Sequence, residues 1–566
     1  MKRCPECRRD YYDDTLLYCL DDGNPLLDGP ATIDGPVTAI LHDTEPPIEA
    51  KTDVQIHTTE QAAFLPPVAD TSSAKGFYKL LLLVPFALAV IVLGGFFGYR
   101  HLLADAPKQI ESIAVMPFVN ESGNVDVEYL SDGMTETLIR SLSQLANLQV
   151  KPRSSVFRYK GKEMDAKTIG QELNVQAILN GVVIQRGDQL TLNLELIDAQ
   201  KDVVLWSEQY NRKQTDLVNL QSEIAKDVSA KLELKLSGAD EAKVIKTATA
   251  DPEAYQAYLK GRYYWNRRTS ENLKKAIEQF KIATDRDPNY ALAFTGLADC
   301  FVVLPEYAGT STSEAVEQVR AFAERAIAID DKLGEAYSSL ANANELSWQW
   351  TEAERLYKRA IELNPNYATA YHWYSIALRS RGRFDEAALM IRRAQEIDPL
   401  SSIIGVNVSL TYQIQNDHNA SIENSLKLIE LDPNFSGAYQ YLGLSYLKLG
   451  RESEAIVNLE KAVALSNRAA VRLVDLGHGY GVTGRHAEAK AIAKELEEKY
   501  ARKQANAVDV AGVYTGLDEK DLAFEWLEKA FQTKEELAVI RFRAPFESLR
   551  GDLRYKDLIR RMGLPE

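Results

Sequence analysis

From about Asp251 to about Lys534 the chain repeats itself. Pro365, Pro399 and Pro433 stand about 34 residues apart, and the same step lands on Asn467 and Ala501 ahead and on Asp331 behind. A fixed period of this length constrains the fold more than any other feature, because one short unit cannot bury its apolar face alone and must stack on its neighbours. Each step carries one pattern. Before Asn467 it reads Tyr439, Leu442, Gly443 and Tyr446, then Ala455, Leu459 and Ala462. Before Pro399 it reads Tyr371, Tyr374 and Leu378, then Ala387, Ile391 and Ala394, and before Pro365 it reads Tyr337, Leu340 and Ala341, then Ala353, Tyr357 and Ala360. The halves read as two antiparallel helices, with small residues where they approach and large ones filling the groove beside them. The proline ends a unit, since its ring cannot continue a helix and the residue before it is pushed out of the α region.

These residues at this period resemble the tetratricopeptide repeat. The resemblance implies helix pairs stacked into a superhelix whose concave face takes a peptide or helix of a partner protein. About eight units are expected, the first from Pro252 with Gly261, Tyr264, Ala276, Phe280 and Ala283. The second, from Pro288, is about nine residues longer than the rest, and the extra length around Pro305 to Ser313 predicts a longer loop between its helices. The unit from Pro399 is degenerate at Gly405 and Ser425, and the last uses Val510, Ala511, Tyr514, Ala523, Leu527 and Ala530. Beyond it, Pro545 to Met562 reads as one more amphipathic helix, with Phe546, Leu549, Tyr555, Leu558 and Ile559 on its apolar face, that caps the stack.

The N-terminal part is of another kind. Three of the four cysteines fall at Cys4, Cys7 and Cys19, too few and too crowded for a disulfide scaffold. Residues 1–27 resemble a zinc-ribbon-like segment in which Asp22 stands where a fourth cysteine would fall. Structural zinc prefers Cys and His. Two readings therefore stand: zinc held by Cys4, Cys7, Cys19 and Asp22 (or Asp21), or a metal-free remnant. Lys2, Arg3, Arg8 and Arg9 are offset by five nearby aspartates, and the whole chain carries a net charge of -15, so nucleic-acid binding is not expected.

Residues 28–77, rich in Pro, Thr, Ala and Asp, show no periodicity and read as a disordered linker. Residues 78–99 read as one transmembrane helix. Leu80 to Phe97 is uncharged over about 27 Å of helix, with Tyr78, Lys79, Tyr99 and Arg100 as flanking anchors. Gly94 and Gly98 form a Gly-x-x-x-Gly pair that suits packing of two such helices, hence a homodimer. The flanking cations tie, and the thiols favour a cytoplasmic N-terminus. The expected location is a bacterial inner membrane, single-pass, with the C-terminal domains extracytoplasmic.

Residues 108–237 predict an α/β domain: strands at Ser112 to Phe118, Leu148 to Pro152, Val175 to Ile184, Leu190 to Asp198 and Val203 to Tyr210, and helices at Glu128 to Leu145, Ala166 to Leu173 and Leu217 to Leu234. The stretches SIAVMPFVNESGN, EYLSDGMTETLIRSLS and IGQELNVQAILNGVVIQRGDQLTLNLELID resemble the TolB amino-terminal-like domain, related to the FlgO type. That resemblance implies a module between a membrane helix and a tetratricopeptide array in bacterial regulatory proteins.

The expected fold class is thus multidomain: a zinc-ribbon-like segment, one transmembrane helix, an α/β domain, an all-α superhelix over 251–534 and a capping helix within 535–566. No catalytic motif stands out. Asp132, Gly133 and Glu136 read as a helix start, and Gly479, Gly481 and Gly484, formally Gly-x-Gly-x-x-Gly, follow no strand and sit on the repeat's own pattern. Asn342, His372 and Arg379 on first helices, with Trp348 and Trp350 in a turn, are the candidate partner contacts. The function expected is a membrane-anchored, non-enzymatic scaffold binding proteins through the superhelix. A transmembrane signalling protein with the ribbon as its output is the alternative.

Overall fold

The computed structural model describes residues 110–124, 127–145, 147–232, 248–267, 269–308 and 312–565, with three short strands near the N-terminus. The chain forms two units, Met1–Ala104 and Asp105–Glu566. In the first, β1 (Lys2–Arg3) pairs antiparallel with β2 (Asp10–Tyr11) and with β3 (Leu27–Asp28). Cys4, Cys7, Cys19 and Asp22 lie outside the described residues.

The second unit begins with a six-stranded sheet in the order β6-β4-β7-β8-β9, with β5 also on β7. β4 (Ser112–Val115), β5 (Val119–Asn120), β6 (Gln149–Val150) and β7 (Ala177–Arg186) are joined in parallel, and β8 (Gln189–Asp198) and β9 (Val203–Lys213) continue antiparallel. β4 is buried throughout, as a strand between two others under helices must be. In β8, Leu190, Leu192, Leu194 and Leu196 point to the core by simple alternation. Gly187, at φ +58°, and Asp188 make the two-residue hairpin turn between β7 and β8. Helices Glu128–Ser143, Ala166–Leu173 and Leu217–Lys231 complete the layer.

Eight helix pairs follow, from Pro252–Trp265 with Ser270–Arg286 to Ala507–Gly516 with Lys520–Gln532. The first starts on an Asp251 cap that accepts from the Glu253 and Ala254 amides, with Pro252 just inside. The small residues do what the period requires of them. A Cβ on Gly443 would meet Leu459 Cγ at 2.7 Å, and one on Gly481 would meet the Gly516 carbonyl carbon of the next unit at 2.4 Å. Gly484 turns the chain at φ +79°. These contacts account for the Gly-x-Gly-x-x-Gly match without a nucleotide.

The extra length of the second unit is not a long loop. It is taken up by two 18-residue helices, Ala291–Ala308 and Thr312–Ile329. Nor is the C-terminal stretch one helix. It runs as 3-10 turns at Leu537–Arg541 and Ala544–Leu549 and then as helix Leu553–Arg561, which starts afresh on an Asp552 cap.

The fold class and location expected from sequence are corrected. The architecture is a mixed α/β region followed by a long all-helical superhelix, and among the described residues no helix is long and apolar enough to cross a membrane. Residues 78–99, with Gly94 and Gly98, lie outside the described residues. The single-pass inner-membrane placement, its orientation and the helix-mediated homodimer are therefore not carried forward. In the described helices apolar residues serve intramolecular packing. Ala291–Ala308, rich in Ala, Leu and Val, buries Leu297, Ala298 and Cys300, and its Asp299 pairs with Arg262 at 3.3 Å and accepts from Ser339 at 2.8 Å.

The α/β layer and the first helix pairs share one core. It runs through Ile113, Leu138, Leu179, Leu259, Phe280 and Leu297. Gly133 leaves room for Leu259, since a Cβ there would meet its Cδ2 at 2.9 Å. Glu136 accepts from Arg262 Nε at 2.7 Å and Asn266 Nδ2 at 2.6 Å. Further along the array, Asn366 Nδ2 donates to the Leu148 carbonyl at 3.2 Å, and Ser155 donates to Asp398 at 2.8 Å. The α/β region thus braces the superhelix at its first helix pair and again on either side of its fourth.

Candidate functional site

Because the first helix of each pair faces inward, the superhelix encloses a cavity of about 1860 Å³. Arg262, Asp299, Asn342, His372, Arg379, Asn407, Gln440, Tyr441, Arg472 and Asp509 line it from the first helices, and Glu136, Arg140 and Arg153 line it from the α/β region. Glu535, Glu536, Phe542 and Arg543 from the C-terminal segment close the remaining side.

That segment returns across the array. Trp348 packs on Phe531 with ring centroids 5.2 Å apart, and Trp350 Nε1 donates to the Met562 carbonyl at 2.8 Å. Lys448 pairs with Glu547, and Arg543 reaches Asp475 at 2.8 Å and Asp509 at 3.8 Å. Phe542 lies 5.4 Å from the Arg379 guanidinium carbon. The third unit therefore touches the eighth and its extension. The residues expected to cap an open end also cover part of the concave face.

Of the sequence-selected contacts, Asn342, His372 and Arg379 share the cavity wall, whereas Trp348 packs on Phe531 of the eighth unit and Trp350 on the returning C-terminal segment. Trp348 adopts φ +61° in the left-handed region, as do the residues at the same turn of later units, Gly382, Asn416, Gly450, Gly484 and Asp518. Sequence reading passed over Arg140, Arg472, Asp475, Asp509 and Arg543. The signal for four of them was a charged residue inside a repeat helix or the helix that packs on it, and for Arg543 there was none.

The charges along the wall fall into two groups. Arg262 is paired with Glu136 at 2.5 Å and with Asp299 at 3.3 Å. Burial pushes the Glu136 carboxyl up, but Arg262 and Arg153 outweigh it and hold the group below the ordinary carboxylate range. Around Glu345 compensation fails. That side chain is 7% exposed, and Tyr357 Oη donates to it at 3.1 Å. Burial, reinforced by Glu536, pushes its carboxyl up to about 8. Arg379, 2% exposed, is pulled down to about 10 by burial despite Tyr441, Glu345 and Glu536. Both shifts favour the neutral form, which is what two buried ions not in contact should show. Arg379 Nη2 donates to Asn407 Oδ1, while Nε and Nη1 are buried without a hydrogen-bond acceptor.

Comparison with known proteins fits this architecture. Residues 349–402 and 425–457 match the tetratricopeptide repeat, so the chain carries such repeats. Residues 108–227, within the stretch expected from sequence to be a TolB amino-terminal-like domain, match a family described as HilA/YgeH-like transcriptional regulator, second domain. The chain is 30% identical over 254 residues, 44% of its own length and 43% of the other's, to the Rhizobium meliloti protein named "Putative adenylate cyclase 3". It is 23% identical over 170 residues, 30% of its length and 24% of the other's, to anaphase-promoting complex subunit 3 of Schizosaccharomyces pombe. It thus spans less than half the length of these curated relatives. The solved structure of YrrB, titled a TPR protein with an unusual peptide-binding site, aligns at 16% identity with TM-score 0.25, covering 35% of this chain and 97% of that one.

Proposed function

We propose that this protein is a non-catalytic interaction scaffold whose concave wall holds a segment of a partner protein. The observation that carries the reading is the repeat array itself, whose inward helices bring Asn342 and His372 to one continuous surface. The name "Putative adenylate cyclase 3" is that of a relative less than half of which aligns. A photo-crosslinking side chain placed at Asn342 should capture a partner, and one placed at the exposed Lys494 on an outer helix should not. Equal capture from both positions would sink the reading.

The match to the second domain of a HilA/YgeH-like transcriptional regulator favours a regulatory setting for this scaffold. In that setting the cysteine-bearing N-terminus is the output, and Cys4, Cys7 and Cys19 with Asp22 would hold one structural zinc. One zinc per purified chain, released by a chelator and lost in Cys7→Ala, is the result expected. A metal-free chain purified from zinc-replete cells would discard it.

A further inference from the structure

We propose, on the basis of the scaffold reading, that the stretch from Arg541 to Leu549 is a built-in occupant of the concave wall, seated where a segment of the partner protein binds. The partner segment that displaces it carries the same chemistry, an arginine between aromatic rings.

The stretch lies on the wall as a bound peptide lies in a groove. It crosses the inward helices of four units. Phe542 packs 5.4 Å from the guanidinium carbon of Arg379 on helix Ala368–Ser380, and Glu547 pairs with Lys448 at the end of helix Ser436–Lys448. Arg543 reaches Asp475 on helix Ala470–Val482 at 2.8 Å. Pro545 and Phe546 rest on Gly512 of helix Ala507–Gly516, where a Cβ would meet Phe546 Cζ at 3.4 Å and Pro545 Cβ at 3.6 Å. Nor does the stretch continue the helix-pair pattern, since Arg543 is extended, at φ -76° and ψ 135°, between two 3-10 turns.

Two of these contacts define what the wall recognises. Asp475 and Asp509, with side chains only 1% and 7% exposed, come from neighbouring units and face one cation, Arg543, at 2.8 Å and 3.8 Å. Gln440 donates to the other Asp475 oxygen and fixes that carboxylate in place. Two carboxylates around one guanidinium make a socket for arginine, whose planar fork serves both, rather than for the point charge of lysine. Three residues on, Phe546 is fully buried and supplies the apolar anchor, with Pro545 before it. The hold is weaker beyond that point: Glu547 and Ser548 are exposed, and the Lys448–Glu547 pair is 40% and 44% exposed, where ion pairs contribute little. While the stretch is seated it masks the wall, and a partner binds only in proportion to the fraction of molecules in which it has left.

The test is titration of a fluorescently labelled synthetic peptide of residues 540–549 with the full chain, read by anisotropy. Arg543→Met loosens the built-in occupant and leaves Asp475 and Asp509 to the arginine of the probe, so its apparent affinity for the probe should exceed that of wild type at least ~10-fold. Lys448→Met frees only the exposed end and should raise the affinity ~2–5-fold, which gives a second reading should Arg543→Met misfold. A probe carrying Arg543→Met should bind every chain at least ~10-fold more weakly. In an isotope-labelled chain, told from the probe by mass, the amides of 541–549 should exchange hydrogen faster once the probe is bound. Absence of binding to all three chains, equal affinity for them, or binding without that faster exchange would overturn the proposal. So would dimers in which the stretch crosses to a second copy, since the occupant would then be this chain itself. Capture from Asn342 alongside any of these failures would leave the scaffold reading standing, so the two fail separately.

Discussion

Replacing Glu345 by Gln tests the electrostatics of the inner wall through its pH dependence. The carboxyl has an ordinary value of 4.5 and is pushed up to about 8 in the fold, by burial first and by Glu536 second. A carboxyl whose folded value is raised binds its proton more tightly folded than unfolded. It therefore contributes stability that is complete below about pH 4.5 and is lost as pH climbs toward 8. A shift of this size is worth up to about 4–5 kcal/mol, of which about 3–4 kcal/mol falls between pH 5 and pH 8. Gln is neutral throughout and retains an oxygen for the Tyr357 hydroxyl, which donates to Glu345 at 3.1 Å. Urea unfolding of both proteins at a series of pH values isolates the group, since every other titration is common to the pair. The stability of Glu345→Gln relative to wild type should rise with pH across this window by about 3–4 kcal/mol. Parallel profiles, within about 1 kcal/mol from pH 5 to pH 8, would refute the reasoning, because Glu345 would then be ionised in the fold with a cation at its side.

Four further outcomes follow from the packing and the turns. Arg543→Met leaves Asp475 and Asp509 buried without their cation and should cost about 3–5 kcal/mol in urea unfolding, less at acid pH, where the stranded carboxyls take up protons. Gly481→Ala places a methyl 2.4 Å from the Gly516 carbonyl carbon, where only backbone can give way, and should lower stability by about 1–3 kcal/mol; the same change at Gly450, which has open space but φ +71°, should cost about 1–2 kcal/mol. Trp350→Phe removes the bond to the Met562 carbonyl and should cost about 0.5–1.5 kcal/mol, with faster hydrogen exchange in Leu553–Arg561 and little change in the sheet.

The repeat was legible because its signal is local and many times repeated. Tyr371, Ala387 and Ile391, or Leu442, Ala455 and Leu459, each report the same helix-on-helix contact, and agreement between units removes accident. The sheet was legible for a similar reason, since alternation along Leu190 to Leu196 fixes which face is buried. Even so, the local sequence at Pro305 to Ser313 predicts a longer loop than the one between helices Ala291–Ala308 and Thr312–Ile329. A proline and small polar residues weigh against helix locally, but packing against the neighbouring units sustains two long helices there. The C-terminal stretch failed the other way: its apolar spacing suits one helix, yet its residues must follow the curved inner face of the array, and 3-10 turns allow that.

The candidate site was legible in part. Asn342, His372 and Arg379 could be placed on inward helices from the period alone. That Arg379 lacks an ionic partner, that Glu345 is not paired with it, and that Phe542 covers it are products of segments far apart in sequence. By itself the sequence determined the unit, its helix pairs, the inward face and the α/β layer that precedes them, because each is set by contacts within some tens of residues. Only the tertiary structure decided how far the superhelix curves, that its C-terminal segment returns to the third unit, and which charges along the wall are met. Small rotations between successive units add up along the array, so whether two distant units meet depends on the sum of all the steps and on none of them singly.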